Sequence, residues 1–234
     1  NYNAPLAVCH AVVLYVFRTL VGADIPLNEG CFKPLNIIVP QGSMIAPEYP
    51  AAVIAGNTEV SQAIADALYA ALGVVAASQG TMNNLIWGDE DLQNYETIGG
   101  GAGAGPDFDG CDAVHTHMTN TRMTDPEVLE FRFPVRLDEF SIRRGSGGGG
   151  RHRGGNGIRR KLTFLQPMGA TMLTSHRRVP PHGLAGGEPG LCGINRVLRA
   201  NGEEQIVDSN AQVDLNTGDS IVLETPGGGG FYKP

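Results

Sequence analysis

Hydrophobic positions follow two different rhythms along the 234-residue chain. Near the start, APLAVCHAVVLYVFRTL puts apolar residues on nearly every face of a helix, with Asn3 as cap and Pro5 in the first turn. That pattern predicts a helix over residues 3–20, buried on all sides. The stretch contains His10 and Arg18 and is short for a membrane span, so a buried helix is the better reading. LNIIV at residues 35–39, just before Pro40-Gln41-Gly42, predicts a strand ending in a turn. An alanine-rich helix, VSQAIADALYAALG, follows with Asn57 or Thr58 as cap and Gly73 as stop. Residues 76–84 (AASQGTMNN) are small and polar, as a loop at a cleft edge would be.

A glycine-rich loop comes next (residues 98–107), then VHTHM as a short strand candidate. From Phe131 onward the helical period disappears. FRFPVRL, FSIRR, RRKLTFL, ATMLTSHR, NRVLRA, QIVD, QVDL and SIVLE are short strand candidates, separated by turn signals such as Asn201-Gly202 and Thr217-Gly218-Asp219. The expected fold class is α+β: a mixed α/β layer with buried helices over residues 1–130, then a mainly β region over 131–234.

Charge divides the chain near the same place. Residues 1–130 carry three Lys/Arg against fifteen Asp/Glu; residues 131–234 carry fourteen against nine, eleven of them between Arg132 and Arg178. Such a basic band suits an anionic substrate, an acidic partner, or the chain's own acidic half. Nucleic acid fits worst, since few aromatics are available for stacking and the net charge is −7. The four cysteines are widely spaced, with no Cys-x-x-Cys and no glycosylation sequon. A cytoplasmic, reducing compartment is expected. A chain that opens at Asn1 on a core helix also reads as a piece of something longer.

The densest chemistry lies in GCDAVHTHMTNTRMTDPEVLE, residues 110–130. On a strand, His115 and His117 would share a face and could grip one metal or one anion. Two imidazoles are too few for zinc, so carboxylates such as Asp107, Asp109 and Asp112 would have to complete a site. The plainer alternative has one histidine bonded in the core and the other in solvent. Asn120, Thr121 and Arg122 offer an amide, a hydroxyl and a guanidinium, a set that suits a carboxylate or a phosphorylated carbonyl. Thr124-Asp125-Pro126-Glu127 reads as a helix start with a threonine cap.

Three glycine runs, at residues 99–105, 145–155 and 227–230, could cradle an anion on free backbone N–H groups. None fits a nucleotide signature, because no Gly-Lys-Ser/Thr follows. The second run carries Arg151 and Arg153 and is the best anion candidate, with a wide hairpin loop as its alternative. No Gly-x-Ser-x-Gly occurs, and no cysteine has an activating neighbourhood.

GAGPDFDGCDAVHTHMTNTRMTDPEVLE resembles the hydantoinase B family, the B-type half of ATP-dependent 5-oxoprolinases and N-methylhydantoinases. Further matches run the whole length: NAPLAV, DIPLNEGCFKPL, AGNTEVSQ, ASQGTMNN, YETIGGGAGAGP, GSGGGGRHRGGNGIRR, GLAGGEPG and TPGGGG. The resemblance implies a two-component, multisubunit hydrolase. An A-type partner binds ATP and phosphorylates the carbonyl oxygen of a cyclic amide, and the B-type component resolves the activated intermediate with a divalent metal (Mg, Mn or Zn). It covers only the C-terminal half of a B-type subunit. The metal site is therefore expected in the N-terminal part, and none is carried onto His115 and His117. On this reading His115 or His117 relays a proton, while Asn120, Arg122, Arg151 and Arg153 orient substrate. Thr124-Asp125-Pro126-Glu127 resembles the 5-oxoprolinase branch. An ATP-dependent ketone carboxylase component, or a non-catalytic assembly half, are the alternatives.

Overall fold

In the computed structural model the described residues are 2–22 and 24–234; Asn1, from which a longer parent chain is expected, lies outside them. Two antiparallel sheets share one core, with a helical layer and a layer of glycine-rich segments joined through residues 76–80: Ser78 N donates to Asp66, while Ala76 N and Gln79 N donate to Ala104 O and Gly101 O.

The helical layer is built by α1 (Leu6–Val21) and α2 (Ser61–Leu72). Helix α1 departs from the expectation twice. Pro5, not Asn3, occupies the cap position, and Asn3 Nδ2 donates to the Ala52 carbonyl instead. Its burial is a stripe rather than all-round: Cys9, Val12 and Val16 are buried at helical spacing, while Leu6, Leu20 and Val21 are exposed. Val12 and Val16 meet Ala65 and Tyr69 of α2. Helix α2 covers one face, Cys9 packs with Ala4 and Val60, and Val13, Leu14 and Phe17 are half-buried. Helix α2 ends as expected on Gly73 in the left-handed conformation, but Asn57 and Thr58 fall in a π-helical turn (Gly56–Val60) that leads into it. Residues 35–39 are irregular, not a strand.

The smaller sheet has the order β2 (Gln93–Glu96), β1 (Asn84–Gly88), β5 (Met168–Leu173), β8 (Asn210–Leu215). The larger runs β3 (Val135–Arg143), β4 (Gly157–Phe164), β9 (Ser220–Glu224), β6 (Ile194–Leu198), β7 (Glu204–Val207). The β1–β2 hairpin is absent from the sequence reading, and FRFPVRL and FSIRR merge into one bulged strand, β3, behind a short helix α3 (Pro126–Arg132). Asp125, rather than Thr124, caps α3 through its carboxylate on Glu127 N. Pairing of β1 with β5 joins the first 130 residues to the rest in one sheet.

Alternation explains the core. Met168, Ala170 and Met172 point inward from β5; Ile158, Leu162 and Phe164 do so from β4. Trp87 stands edge-on to Phe133 and Phe164, with ring centroids at 5.0 and 5.7 Å. Each fully buried large side chain here stabilises the fold by about 1.5–3 kcal/mol. Arg160 shares the inward face of β4 and is neutralised there by Glu96 at 2.8 Å.

The glycine runs converge in the third layer. Gly101, Gly155 and Gly228 meet backbone against backbone: a methyl on Gly228 would stand 1.9 Å from the Ala102 oxygen. Their amides are spent on one another, with Gly101 N donating to Pro226 O, Gly155 N to Ala102 O, Gly148 N to Gly228 O and Gly228 N to Gly155 O. These N–H groups are therefore not free to cradle a phosphate. Residues 145–155 lie within the β3–β4 hairpin connection, in line with the loop alternative.

Candidate active site

The helical layer and the sandwich meet at a buried carboxylate. Asp66, on the inward face of α2, accepts hydrogen bonds from Ser78 N (2.9 Å) and Ser78 Oγ (3.1 Å). His117 Nε2 lies 2.9 Å from the same Oδ1. A carboxylate only accepts, so the proton sits on Nε2 and Nδ1 is left to accept from the Tyr15 hydroxyl at 3.2 Å. Burial pushes the Tyr15 phenol up, and Tyr69 and Asp66 push it the same way, so it stays a donor. Tyr69 stacks obliquely on the imidazole at 5.3 Å and bonds Thr19. His117 itself holds a left-handed backbone at φ +49°, a conformation that costs about 1–3 kcal/mol outside glycine. Orientation of this imidazole is over-determined: carboxylate on one nitrogen, phenol on the other, ring packing on the face.

Two more polar groups lie behind it. Glu59, from the π-helical turn, is buried; its Oε1 accepts from Thr81, Met82 N and Asn84, and its Oε2 has no hydrogen-bond partner. Burial pushes this carboxyl up to about 7, against its hydrogen bonds and the charge of Arg177. Arg177 donates to three neutral oxygens, Asn195 Oδ1, Ser175 O and Asn83 Oδ1. Burial lowers its guanidinium to about 9, and Glu59 pulls it back.

The other expected residues are dispersed. VHTHM is a turn with a single bridge at Val114, so His115 and His117 do not share a face. The left-handed residue at 117 breaks the alternation on which that expectation rested. His115 instead has Nδ1 2.8 Å from the Thr121 carbonyl and Nε2 3.2 Å from that of Thr97. Asn120 and Arg122 are exposed. Arg151 is exposed, whereas Arg153 is engaged by Asp112 at 3.0 Å and Asp109 at 3.9 Å. Of the basic band, Arg136, Arg143, Arg159, Lys161 and Arg178 pair with acids of the second half, whereas Arg153 and Arg160 pair with acids of the first. Among the described residues, no group of three or more His, Cys, Asp or Glu side chains converges on a metal position.

Comparison with known proteins decides the lineage. The profile of the family described as hydantoinase B/oxoprolinase matches residues 1–234. The chain belongs to the hydantoinase B/oxoprolinase family. It is 46% identical over 231 residues to a 5-oxoprolinase of Dictyostelium discoideum, which covers 99% of this chain and 18% of that protein. Among solved structures, the ATP-dependent caprolactamase of Pseudomonas jessenii is similar at TM-score 0.77 and 25% identity, over 95% of this chain and 42% of that one. An acetone carboxylase shares the fold at TM-score 0.84 and 18% identity, over 99% of this chain and 37% of that one. This hydantoinase B/oxoprolinase chain thus spans 18–42% of the length of these relatives. No helix among the described residues is long and apolar enough to cross a membrane.

Within this family member, Asp66, Glu59 and His176, like Tyr15 and Arg177, carry little signal in the sequence. Asp66 sits in an apolar run, SQAIADALYAAL, where its polarity among alanines is the one available signal. Glu59 reads as part of a helix start. His176, which follows β5 in a strand candidate, has its ring turned by a left-handed backbone at φ +52°.

Proposed function

We propose that this chain is part of the B-type component of an ATP-dependent cyclic amidase of the 5-oxoprolinase/hydantoinase type. The similarity to a 5-oxoprolinase along the whole chain carries this reading. An A-type partner binds ATP and phosphorylates the lactam oxygen, which removes the amide resonance that protects the ring. Water then adds to the activated carbon, and the ring C–N bond breaks as the nitrogen accepts a proton. The resulting acyl phosphate is hydrolysed by a second water to carboxylate and phosphate.

The chain's own contribution is acid–base help and orientation. His117, held between Asp66 and Tyr15, is suited to pass a proton, since the carboxylate stabilises the imidazolium that forms. His115 is the second proton-relay candidate. Asn120, Arg122 and Arg151 remain available for an anionic intermediate, and Arg153 would need to leave Asp112 to join them. The divalent metal belongs to the remaining N-terminal part of the B subunit on this reading. Four free cysteines are compatible with action in the cytoplasm.

The test is ADP release by the complete complex containing this chain, supplied with 5-oxoproline in bicarbonate-free buffer. Stimulated release with ring-opened product is the expected result. Activity that returns only with bicarbonate and a ketone would make the complex a carboxylase. Turnover that survives replacement of His115 and His117 by alanine, with assembly lost, would make the chain an assembly element.

A further inference from the structure

His176 borders a cleft of about 330 Å³ that Gly80, Ser175, Arg177 and Tyr2 also line. Its ring is held at one end: Nδ1 lies 2.8 Å from the Val179 carbonyl. A carbonyl only accepts, so this contact fixes the proton on Nδ1 and leaves the lone pair on Nε2. Among the described residues Nε2 has no hydrogen-bond partner, and it is not sealed from solvent. It rests over Gly80, where an added methyl would stand 2.3 Å from Nε2 and 3.3 Å from Asp66 Oδ2. One carboxylate thus stands behind two imidazoles, bonded to His117 and facing His176 across a glycine. Both histidines hold left-handed backbones, at φ +49° and +52°. Such strain persists where the surroundings fix the residue, and it clusters at working sites. Beside His176, the largely buried Arg177 hydrogen-bonds only neutral oxygens, and Glu59 is the carboxyl that acts on its charge.

The geometry points to this cleft as a small-molecule site in which His176 Nε2 takes and returns a proton and Arg177 attracts a carboxylate- or phosphate-bearing ligand. The charged and titratable groups facing His176 are Asp66 from α2 and Arg177 and His182 from its own segment. Burial holds its imidazole below the ordinary value; Arg177 and His182 act the same way, and the Val179 bond and Asp66 oppose them. The ring is therefore neutral near pH 7 and able to accept. In the lactam-opening reading, on which this step rests, Nε2 takes a proton from the attacking water as its oxygen bonds to the activated carbon. The same proton passes to the ring nitrogen as the C–N bond breaks, so the histidine ends as it began.

Two measurements test the site separately from the activity reading. In the full-length subunit labelled with ¹⁵N-histidine, the resonance lost in His176→Gln identifies the ring. The expected spectrum at pH 7 is a neutral Nδ1–H tautomer whose Nε2 shift moves on adding inorganic phosphate or, separately, 5-oxoproline. A response to phosphate alone identifies a phosphoryl pocket and a response to 5-oxoproline alone a carboxylate pocket. An Nε2–H tautomer, or no response to either probe, overturns the proposal. In the complete complex, His176→Gln is expected to lower kcat about a hundredfold or more and to remove one limb of the kcat/KM pH profile. Arg177→Lys is expected chiefly to raise KM. Turnover and pH profile unchanged in His176→Gln would overturn the catalytic role. A wild-type complex that opens no lactam refutes the activity reading alone, because the spectrum still reports on the cleft.

Discussion

His117 Nε2 stands 2.9 Å from Asp66 Oδ1, and that contact ties the turn after the glycine loop to helix α2. Removing the carboxylate in Asp66→Ala strands three donors at once: the imidazole, Ser78 N and Ser78 Oγ. Each buried donor left without a partner costs about 1–3 kcal/mol. The full-length subunit should accordingly lose several kcal/mol in urea unfolding. Asp66→Asn, which keeps an acceptor oxygen, should lose much less while still lowering turnover about a hundredfold. Equal stability losses for both variants would mean that the carboxylate charge, not its acceptor geometry, holds the turn.

How much of this was legible in advance depends on the distance over which each feature is specified. The strands of the second half are local: β4 has Ile158, Leu162 and Phe164 on one buried face, and SIVLE is a short apolar run bounded by turn signals, as a strand buried throughout should be. The β1–β2 hairpin is harder to read, since only Leu85 and Trp87 alternate inward before the charged turn at Asp89. The site is less local still. His115 and His117 were expected together on a strand, and a single left-handed residue separates them. Asp66 becomes the neighbour of His117 only through the packing of α2, and His176 takes its place only through the Val179 carbonyl and Gly80. The glycine runs suggested free amides when taken one at a time; the structure spends those amides on one another.

That mutual packing makes a sharp contrast between glycines. Gly228→Ala would drive a methyl to 1.9 Å from the Ala102 oxygen, against backbone atoms of Ala102 and Gly103. Gly169 in β5 has its nearest neighbour at 3.9 Å and no left-handed requirement. The first substitution should cost about 1–3 kcal/mol or abolish soluble expression. The second should stay within about 1 kcal/mol of wild type. Comparable unfolding midpoints for the two would show that the glycine layer is more compliant than its contacts imply.

Arg160 and Glu96 form an ion pair between the two sheets, at 2% and 4% side-chain exposure, with Arg160 Nε and Glu96 Oε1 left unpartnered. Burial pulls the guanidinium down and Glu96 restores it. Glu96→Leu alone leaves an uncompensated buried cation and should cost about 3–5 kcal/mol. Arg160→Met together with Glu96→Leu should recover most of that loss, because both desolvation penalties vanish with the pair. A double variant as unstable as the single one would show that the pair specifies the sheet packing rather than merely tolerating burial.

Glu59 gives the stability a pH dependence of known sign. Its folded carboxyl lies at about 7 against an ordinary value of 4.5, so between these values the folded state binds the proton more tightly than the unfolded chain does. The stabilisation by this group is complete below about pH 4.5 and is lost as pH rises through about 7, a total of about 3 kcal/mol. Glu59→Gln keeps a carbonyl oxygen to accept from Thr81, Met82 N and Asn84, and it carries no charge to bury. Relative to wild type, the variant should therefore gain stability from about pH 4.5 to about pH 7 and level off above that, less whatever attraction Glu59 supplies to Arg177. Urea unfolding of both proteins across that range measures the difference directly. A difference that stays flat would mean that Arg177 holds Glu59 ionised throughout, and that the two form a charged pair beneath the cleft.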